Sequence, residues 1–324
     1  MARRTLVTGG AGYVGAVAVD ELLAGGRAVR VVDSLLHGNV PSLLLAWGTD
    51  GFEFVRGDVR DRDLMRAALA DVDTVVHLAA IVGDPACARE PELARAVNLE
   101  ATQALLDEAR AAGVERVVFA STCSNYGKMA DGAAPATEEW ELRPVSLYAE
   151  TKVEAERVVL AAAGDALATT CLRLATVYGT SPRMRFDLTV NEFTRDVVIG
   201  GDLVVYGEQF WRPYVHVRDA ARAIAMVLSA PRELVAGEVF NVGGSDENYR
   251  KLDIVELLRA REPRAEIQFV RKDEDPRDYR VSFAKIEDRL GFTTSRTVAG
   301  GIDEIIALLG SGLIDDPYAS IYRN

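Results

Sequence analysis

Cysteine, histidine and tryptophan are scarce in this chain, with three of each in 324 residues. Cys87, Cys123 and Cys171 are odd in number and have no metal-ligand spacing, and the histidines are scattered. This argues against a disulfide scaffold and a bound metal, and points to a reducing, cytoplasmic setting. No apolar run approaches the roughly 20 residues of a membrane span. The basic start Met1-Ala-Arg-Arg4 has no apolar stretch behind it and does not read as a secretory signal. Excess basic charge is missing too: 37 Lys and Arg face 49 Asp and Glu, a net charge of −12. That balance opposes nucleic acid or an anionic membrane as the main partner, but not an anionic small ligand, which responds to local charge. Internal repeats, low-complexity tracts and long linkers are also absent. What remains is an ordinary soluble composition, 49% hydrophobic and 27% charged, long enough for one large α/β domain or one with a smaller lobe.

The organising stretch is the amino-terminal Thr5-Leu-Val-Thr-Gly-Gly-Ala-Gly-Tyr-Val-Gly15. Leu6 and Val7 read as a buried strand, and the pattern Val14, Val17, Ala18, Leu22, Leu23 as a helix. Between them, Gly9, Gly12 and Gly15 stand three residues apart. The first allows a tight turn, the second lets a pyrophosphate approach the backbone, and the third lets helix pack on strand. Free N–H groups and the dipole at the helix start favour an anion. A second strand, 28–32, ends at Asp33, where a carboxylate accepts hydrogen bonds from the adenosine ribose and repels a 2′-phosphate. The expected cofactor is therefore NAD, held by Gly9, Gly12, Tyr13, Val14 and Asp33.

Further strands are expected at 52–56, 74–78, 116–120 and 169–174, alternating with helices at 62–69, 93–112 and 147–163. This is the pattern of an α/β doubly wound parallel sheet. Asp58, in Gly57-Asp-Val59, reads as an acceptor for the adenine amino group, as the cap of the 62–69 helix, or as both at once. Leu78, Ala79 and Ala80 leave room for a cofactor at a strand end. Asn98 reads either as a solvated amide or as an anchor for the active-site strand. Ser121-Thr-Cys-Ser-Asn-Tyr-Gly127 places hydroxyls at a strand's carboxyl end, where open sheets bind ligands. Beyond Gly179 a smaller set of elements is expected: helix 186–198, strand 203–206, helix 219–228, strand 238–242, helix 252–260, strand 266–270 and helix 298–309.

Tyr148 and Lys152 are four residues apart and share a helix face. A tyrosine with an ordinary pKa near 10 is a poor base at neutral pH, and an ammonium one turn away stabilises its phenolate. With a hydroxyl from Thr122 or Ser121 to orient the substrate oxygen, these groups would move an alcohol proton while the cofactor takes the hydride.

Together these strings, with His77-Leu-Ala-Ala80 and Arg173-Leu-Ala-Thr-Val-Tyr-Gly179, resemble the extended short-chain dehydrogenase/reductases, specifically the nucleotide-sugar epimerases and dehydratases. The resemblance spans nearly the whole chain. It implies a Rossmann-type NAD domain over 1–178, to which segments near 213–243 return, and a nucleotide-sugar lobe mainly over 179–324. It also implies a homodimer through the helices near 93–112 and 147–163. It implies catalysis by Thr122, Tyr148 and Lys152, with Val59 and Val177 beside the cofactor. Ser121, Thr176, Asn191, Tyr206, Arg212 and Arg277 would hold the substrate, the two arginines neutralising its diphosphate. No role follows for Asp84 or Cys87. In this family the 4,6-dehydratases carry an Asp-Glu pair directly after the catalytic Thr, and decarboxylases commonly a Glu. Here those positions are Cys123 and Ser124. The departure favours a 4-epimerase working through a transient 4-keto sugar, over a dehydratase, decarboxylase, ketoreductase or non-catalytic NAD sensor.

Overall fold

Val7, Val31, Val76, Val118 and Leu172 turn one way from their strands, while Leu6, Val32, Val75, Val117 and Cys171 turn the other. Neighbours on a strand point to opposite faces, so near-continuous apolar runs demand cover on both sides. The structure, a computed structural model, describes residues 4–38, 40–130, 134–272 and 277–324. Its strands are β1 (Arg4–Thr8), β2 (Ala28–Asp33), β3 (Phe52–Arg56), β4 (Thr74–His77), β5 (Arg116–Thr122), β6 (Ala168–Leu174), β7 (Thr176–Tyr178), β8 (Asp202–Tyr206), β9 (Trp211–His216), β10 (Glu238–Val242), β11 (Asn248–Arg250) and β12 (Glu266–Val270). Seven of them form a parallel sheet in the order β10-β6-β5-β4-β1-β2-β3. This is the doubly wound, Rossmann-type α/β fold that the alternation implied.

Helices Tyr13–Ala24 and Val217–Ser229 cover one face of the sheet, and Arg62–Ala68, Ala101–Ala111 and Leu147–Ala161 contribute to the other. The chain runs outward from β1 to β3, then crosses to β4 on the other side of β1. Such a reversal opens a crevice at the carboxyl ends of β1 and β4. Two smaller sheets, β11-β9-β7 and β12-β8, stand apart from the main one. β7, β9 and β11 were not foreseen, because two are only three residues long and Pro213 interrupts the third.

Two long helical expectations are corrected. The 93–112 helix is instead Pro91–Arg95, a wider π turn Ala96–Glu100, and Ala101–Ala111. The 186–198 helix shortens to Thr189–Arg195 and passes into a π turn at Asp196–Gly200. Periodicity alone does not reveal the extra residue in a π turn. Among the described residues no helix is long and apolar enough to cross a membrane.

The Val298–Gly310 helix is tied to β9 by His216, whose Nε2 lies 2.7 Å from Glu304 Oε2. Burial raises the Glu304 pKa, but the hydrogen bonds from His216 and Thr180 outweigh it and pull the carboxyl down to about 2. A depressed carboxylate stabilises the fold above its unfolded pKa and loses that contribution as pH falls toward the folded value. Denaturant titrations should therefore show wild type losing about 2 kcal/mol, discounted for partial exposure, between pH 4.5 and 2. Glu304→Gln should lack that increment at pH 7 and show a flatter acid limb.

Candidate active site

The turn after β1 is shaped by backbone contact. Gly9 has φ 72°, donates its N–H to Val32 O at 2.9 Å, and lies so near β4 that a Cβ would stand 2.7 Å from Ala79 N. A Cβ on Gly15 would meet Gly9 O at 2.1 Å. The Tyr13–Ala24 helix starts at Gly12 with no side-chain cap, so its first N–H groups point into the crevice's mouth with the positive end of the dipole. Asp33, at the end of β2, accepts from Ala11 N (3.0 Å) and Leu35 N (2.8 Å). Burial raises its pKa, and these bonds oppose the rise. An uncapped helix start, a buried carboxylate beside it, and the small Ala79 and Ala80 at the end of β4 fit a dinucleotide. Tyr13 turns its side chain away from this turn. Its ring is buried, and its hydroxyl donates to Gly179 O at 2.6 Å.

Asp58 is paired with Arg60 at 2.6 Å, and that hydrogen bond lowers its pKa. The cap of the Arg62–Ala68 helix is Asp61, not Asp58, because only Asp61 reaches the N–H groups of Asp63 and Leu64. Val59 is buried, while Leu78, Val14, Thr176 and Val177 are half-buried around the crevice elements.

The Leu147–Ala161 helix carries Tyr148 and Lys152. Ser146 caps it, accepting from Ala149 N. Asn98 staples this helix to the loop after β4: its Oδ1 accepts from Ile81 N (2.8 Å), and its Nδ2 donates to Ile81 O (3.0 Å) and Thr151 Oγ1 (3.2 Å). The amide is buried rather than solvated, and it anchors this helix and the loop after β4 rather than the active-site strand that the sequence suggested. Lys152 is buried. Its Nζ donates to Ala120 O at 2.8 Å and lies 4.5 Å from the centre of the Phe119 ring. Burial pulls its pKa down to about 8. Tyr148 goes the other way: burial, then Cys87 and Asp84, push the phenol above its usual range, with Arg185 opposing. Here the ammonium is turned toward β5 rather than lowering the phenol, which departs from the expected coupling.

Thr122 ends β5, and its Oγ1 accepts from Ser124 N at 3.1 Å. Ser124 Oγ is 3.3 Å from Tyr279 Oη, and the Arg212 guanidinium stands 5.7 Å from the Tyr279 ring. Arg277 Nη1 is 3.1 Å from Asp84 Oδ2. Tyr206 is exposed on β8.

Two expectations are corrected. Ser121 faces the interior and donates to Glu156 Oε2 at 2.6 Å, so its hydroxyl is committed beneath the site. Asn191 is fully buried. Its Oδ1 accepts from Gly179 N, and its Nδ2 donates to Tyr13 Oη and Arg185 O, which leaves nothing for a diphosphate. Sequence reading missed Arg185 and Tyr279, both of which act electrostatically on Tyr148. The basic pair in Pro182-Arg-Met-Arg185 was the available signal for the first.

A Gly-rich turn ending in an uncapped helix, an acid at the end of β2, and a Tyr-x-x-x-Lys helix beside a β5 hydroxyl define a nucleotide-dependent α/β enzyme. Over residues 5–243 the chain matches the model of the NAD dependent epimerase/dehydratase family, and it belongs to that family. It is 35% identical to a dTDP-glucose 4,6-dehydratase of Actinoplanes sp., covering 94% of this chain and 97% of the relative. It is 30% identical to a UDP-glucose 4-epimerase of Streptomyces lividans, covering 91% and 93%. A crystal structure of the Thermus thermophilus UDP-glucose 4-epimerase in complex with NAD superposes with a TM-score of 0.81 at 29% identity, covering 96% of this chain and all of that one. The protein is an NAD-dependent member of a nucleotide-sugar enzyme family, an extended short-chain dehydrogenase/reductase.

Removing the Asn98 amide leaves the half-buried N–H and C=O of Ile81 without their partner. Asn98→Ala should cost about 2 kcal/mol in chemical denaturation, and Asn98→Asp should do no better, because its second oxygen would set a buried negative acceptor against Ile81 O.

Proposed function

We propose that the protein is an NAD-dependent nucleoside-diphosphate-sugar 4-epimerase. The carrying observation is the pair after Thr122. Cys123 is fully buried, donates to Arg173 O at 3.1 Å, and has its thiol pushed far up by burial. Ser124 is a hydroxyl beside Tyr279. Neither serves as a base at neutral pH. The acids near them are engaged elsewhere: Glu156 with Arg173 (2.6 Å), and Glu138 with Asn241 N (2.7 Å). A 4-epimerase needs no carbon base, whereas loss of water needs one.

In this reading Thr122 orients the sugar O4, and Tyr148 takes the O4 proton and later gives it back. Lys152, released from Ala120 O, steadies the phenolate and the nicotinamide ribose. NAD, when bound, supplies the acceptor for the C4 hydride and the donor for its return. Gly9, Gly12, the backbone of Tyr13 and Val14, and Asp33 hold that cofactor, with Val59, Leu78, Ala79, Ala80 and Val177 lining its path. Asp58 would reach the adenine only by exchanging Arg60. Arg212 and Arg277 clamp the diphosphate, Thr176 lies by the sugar, and Tyr206 flanks the base. Residues 1–178 with the 213–243 segment form the NAD domain, and the remainder mainly the substrate lobe. We place a homodimer contact on the outer faces of the helices at 91–111 and 147–161, where Leu93, Ala96 and Leu99 are half-exposed. The three buried free thiols support a reducing compartment.

The competing reading is dehydration, the activity named for the Actinoplanes relative. Incubation with a panel of nucleotide sugars in heavy water, read by NMR and mass spectrometry, separates the two. A C4-inverted product without carbon-bound deuterium is expected. Loss of water or carbon dioxide, or deuterium on carbon, overturns the reading. Tyr148→Phe should lower kcat about 10²- to 10⁴-fold with little change in substrate Kd. Because the Lys152 ammonium is needed and its pKa is about 8, kcat/KM should fall as pH rises through that value. Lys152→Met should remove that limb from the residual activity.

A further inference from the structure

Asp84 is the residue whose placement the proposed mechanism does not use. It opens the short Asp84–Arg89 helix after β4. One carboxylate oxygen accepts from Ser146 Oγ at 2.7 Å, two residues before Tyr148. The other lies 3.1 Å from Arg277 Nη1. The carboxylate is part-exposed, with 30% of its side chain reaching solvent. It is also close enough to act on the phenol of Tyr148 and on the Cys87 thiol, both of which it pushes up. The group is therefore held close to Tyr148 by a donor that belongs to the same helix.

Its charge is balanced here by Arg277. Resting on the epimerase reading, Arg277 turns to the diphosphate when substrate binds. The Ser146 hydroxyl then remains, and Asp84 faces the hexose as a carboxylate without its cation. A fixed anion there accepts hydrogen bonds from sugar hydroxyls or an ammonium, and it repels a second anion on the sugar. Like-charge juxtaposition costs affinity and so works against the wrong ligand as an added contact works for the right one.

We propose that Asp84 is a specificity-determining residue that admits neutral or amino hexoses on the nucleoside diphosphate and excludes the corresponding uronates. The selection is made by exchange: the diphosphate takes the cation of the Asp84–Arg277 pair, and the sugar meets the carboxylate left behind. A uronate substrate would need a cation at this position, and the residue placed there is an acid. Arg185, which also acts on Tyr148, is paired with Asp187 at 2.7 Å.

The test uses the NAD-loaded enzyme and matched ligands, UDP-glucose against UDP-glucuronate and UDP-galactose against UDP-galacturonate. Kd is measured by calorimetry and C4 oxidation by NADH absorbance in single turnover. Binding does not depend on which reaction follows, so failure of the epimerase reading leaves this result interpretable. Wild type should bind the neutral sugar at least about tenfold more tightly than the uronate. Asp84→Asn, which keeps the shape and the bond from Ser146, should close most of that gap by improving the uronate. Ser146→Ala, which removes the carboxylate's remaining donor but not its charge, should narrow the gap less than Asp84→Asn does. Asp84→Ser serves as a second neutral variant should the first fold poorly, with NAD content as the check on integrity. Three results overturn the proposal: an unchanged ratio in both Asp84 variants, an equal loss for both sugars, or a Ser146→Ala variant that shifts the ratio as Asp84→Asn does. A fourth, carbon-bound deuterium in the wild-type product that vanishes in Asp84→Asn, would make the carboxylate a proton-transfer group and overturn it as well.

Discussion

The buried pair between Arg173 on β6 and Glu156 on the Leu147–Ala161 helix holds the reactive side of the molecule in register. The guanidinium donates to Glu156 at 2.6 Å, to Tyr126 Oη at 2.8 Å and to Glu138 O at 3.0 Å, while Glu156 also receives Ser121. Burial lowers the Arg173 pKa, but Glu156 outweighs it and keeps the group firmly charged. Pairs of this kind stabilise little in net terms, yet removing one partner strands a charge in the interior. Its geometric effect is larger. Glu156 is one turn beyond Lys152 and two beyond Tyr148, so fixing it against β5 and β6 fixes where those groups meet the strand end. The Asn98 staple does the same from the other side, through Thr151 and the loop after β4.

Two close approaches then define the cofactor's space. Gly9 lies against Ala79, and Gly15 against Gly9, so β1, β4 and the first helix converge with no side chain between them. The sheet reversal beside β1 opens the crevice, and these glycines keep the helix start clear of side chains. Asp84 pairs with Arg277 and Arg212 stands over the Tyr279 ring, so the helix that carries Tyr148 has both an acid and basic groups near it rather than a plain basic clamp. Against a net charge of −12, the arginines among these residues set the local charge that an anionic ligand would meet.

The strands of the main sheet, the glycine turn and the Tyr-x-x-x-Lys helix were legible because they are local patterns. Strand and helix periods differ, glycines mark turns, and i, i+4 residues share a face. The same logic failed wherever a side chain's direction was decided elsewhere. Ser121 and Thr122 are adjacent hydroxyls, and alternation on β5 sends one to Glu156 and leaves the other at the strand end. Asn191 sits in a plausible string, yet the fold spends its amide on Gly179, Tyr13 and Arg185. The π turn at Ala96–Glu100 adds a residue to what reads as one helix, and with it Asn98 reaches Ile81.

The fold class, the cofactor turn and the chemical groups available for hydride-coupled proton transfer were all written in the chain, because each is carried by neighbouring residues. So was the lack of a carboxylate directly after Thr122. Folding of the whole chain settled which of these groups are spent on holding the fold and which remain at the crevice. It turned Lys152 toward Ala120, buried Cys123 against Arg173, and brought Asp84, Ser146 and Arg277 together from three distant segments. Such pairings depend on packing and burial summed over the whole core, and no local period in the sequence encodes them.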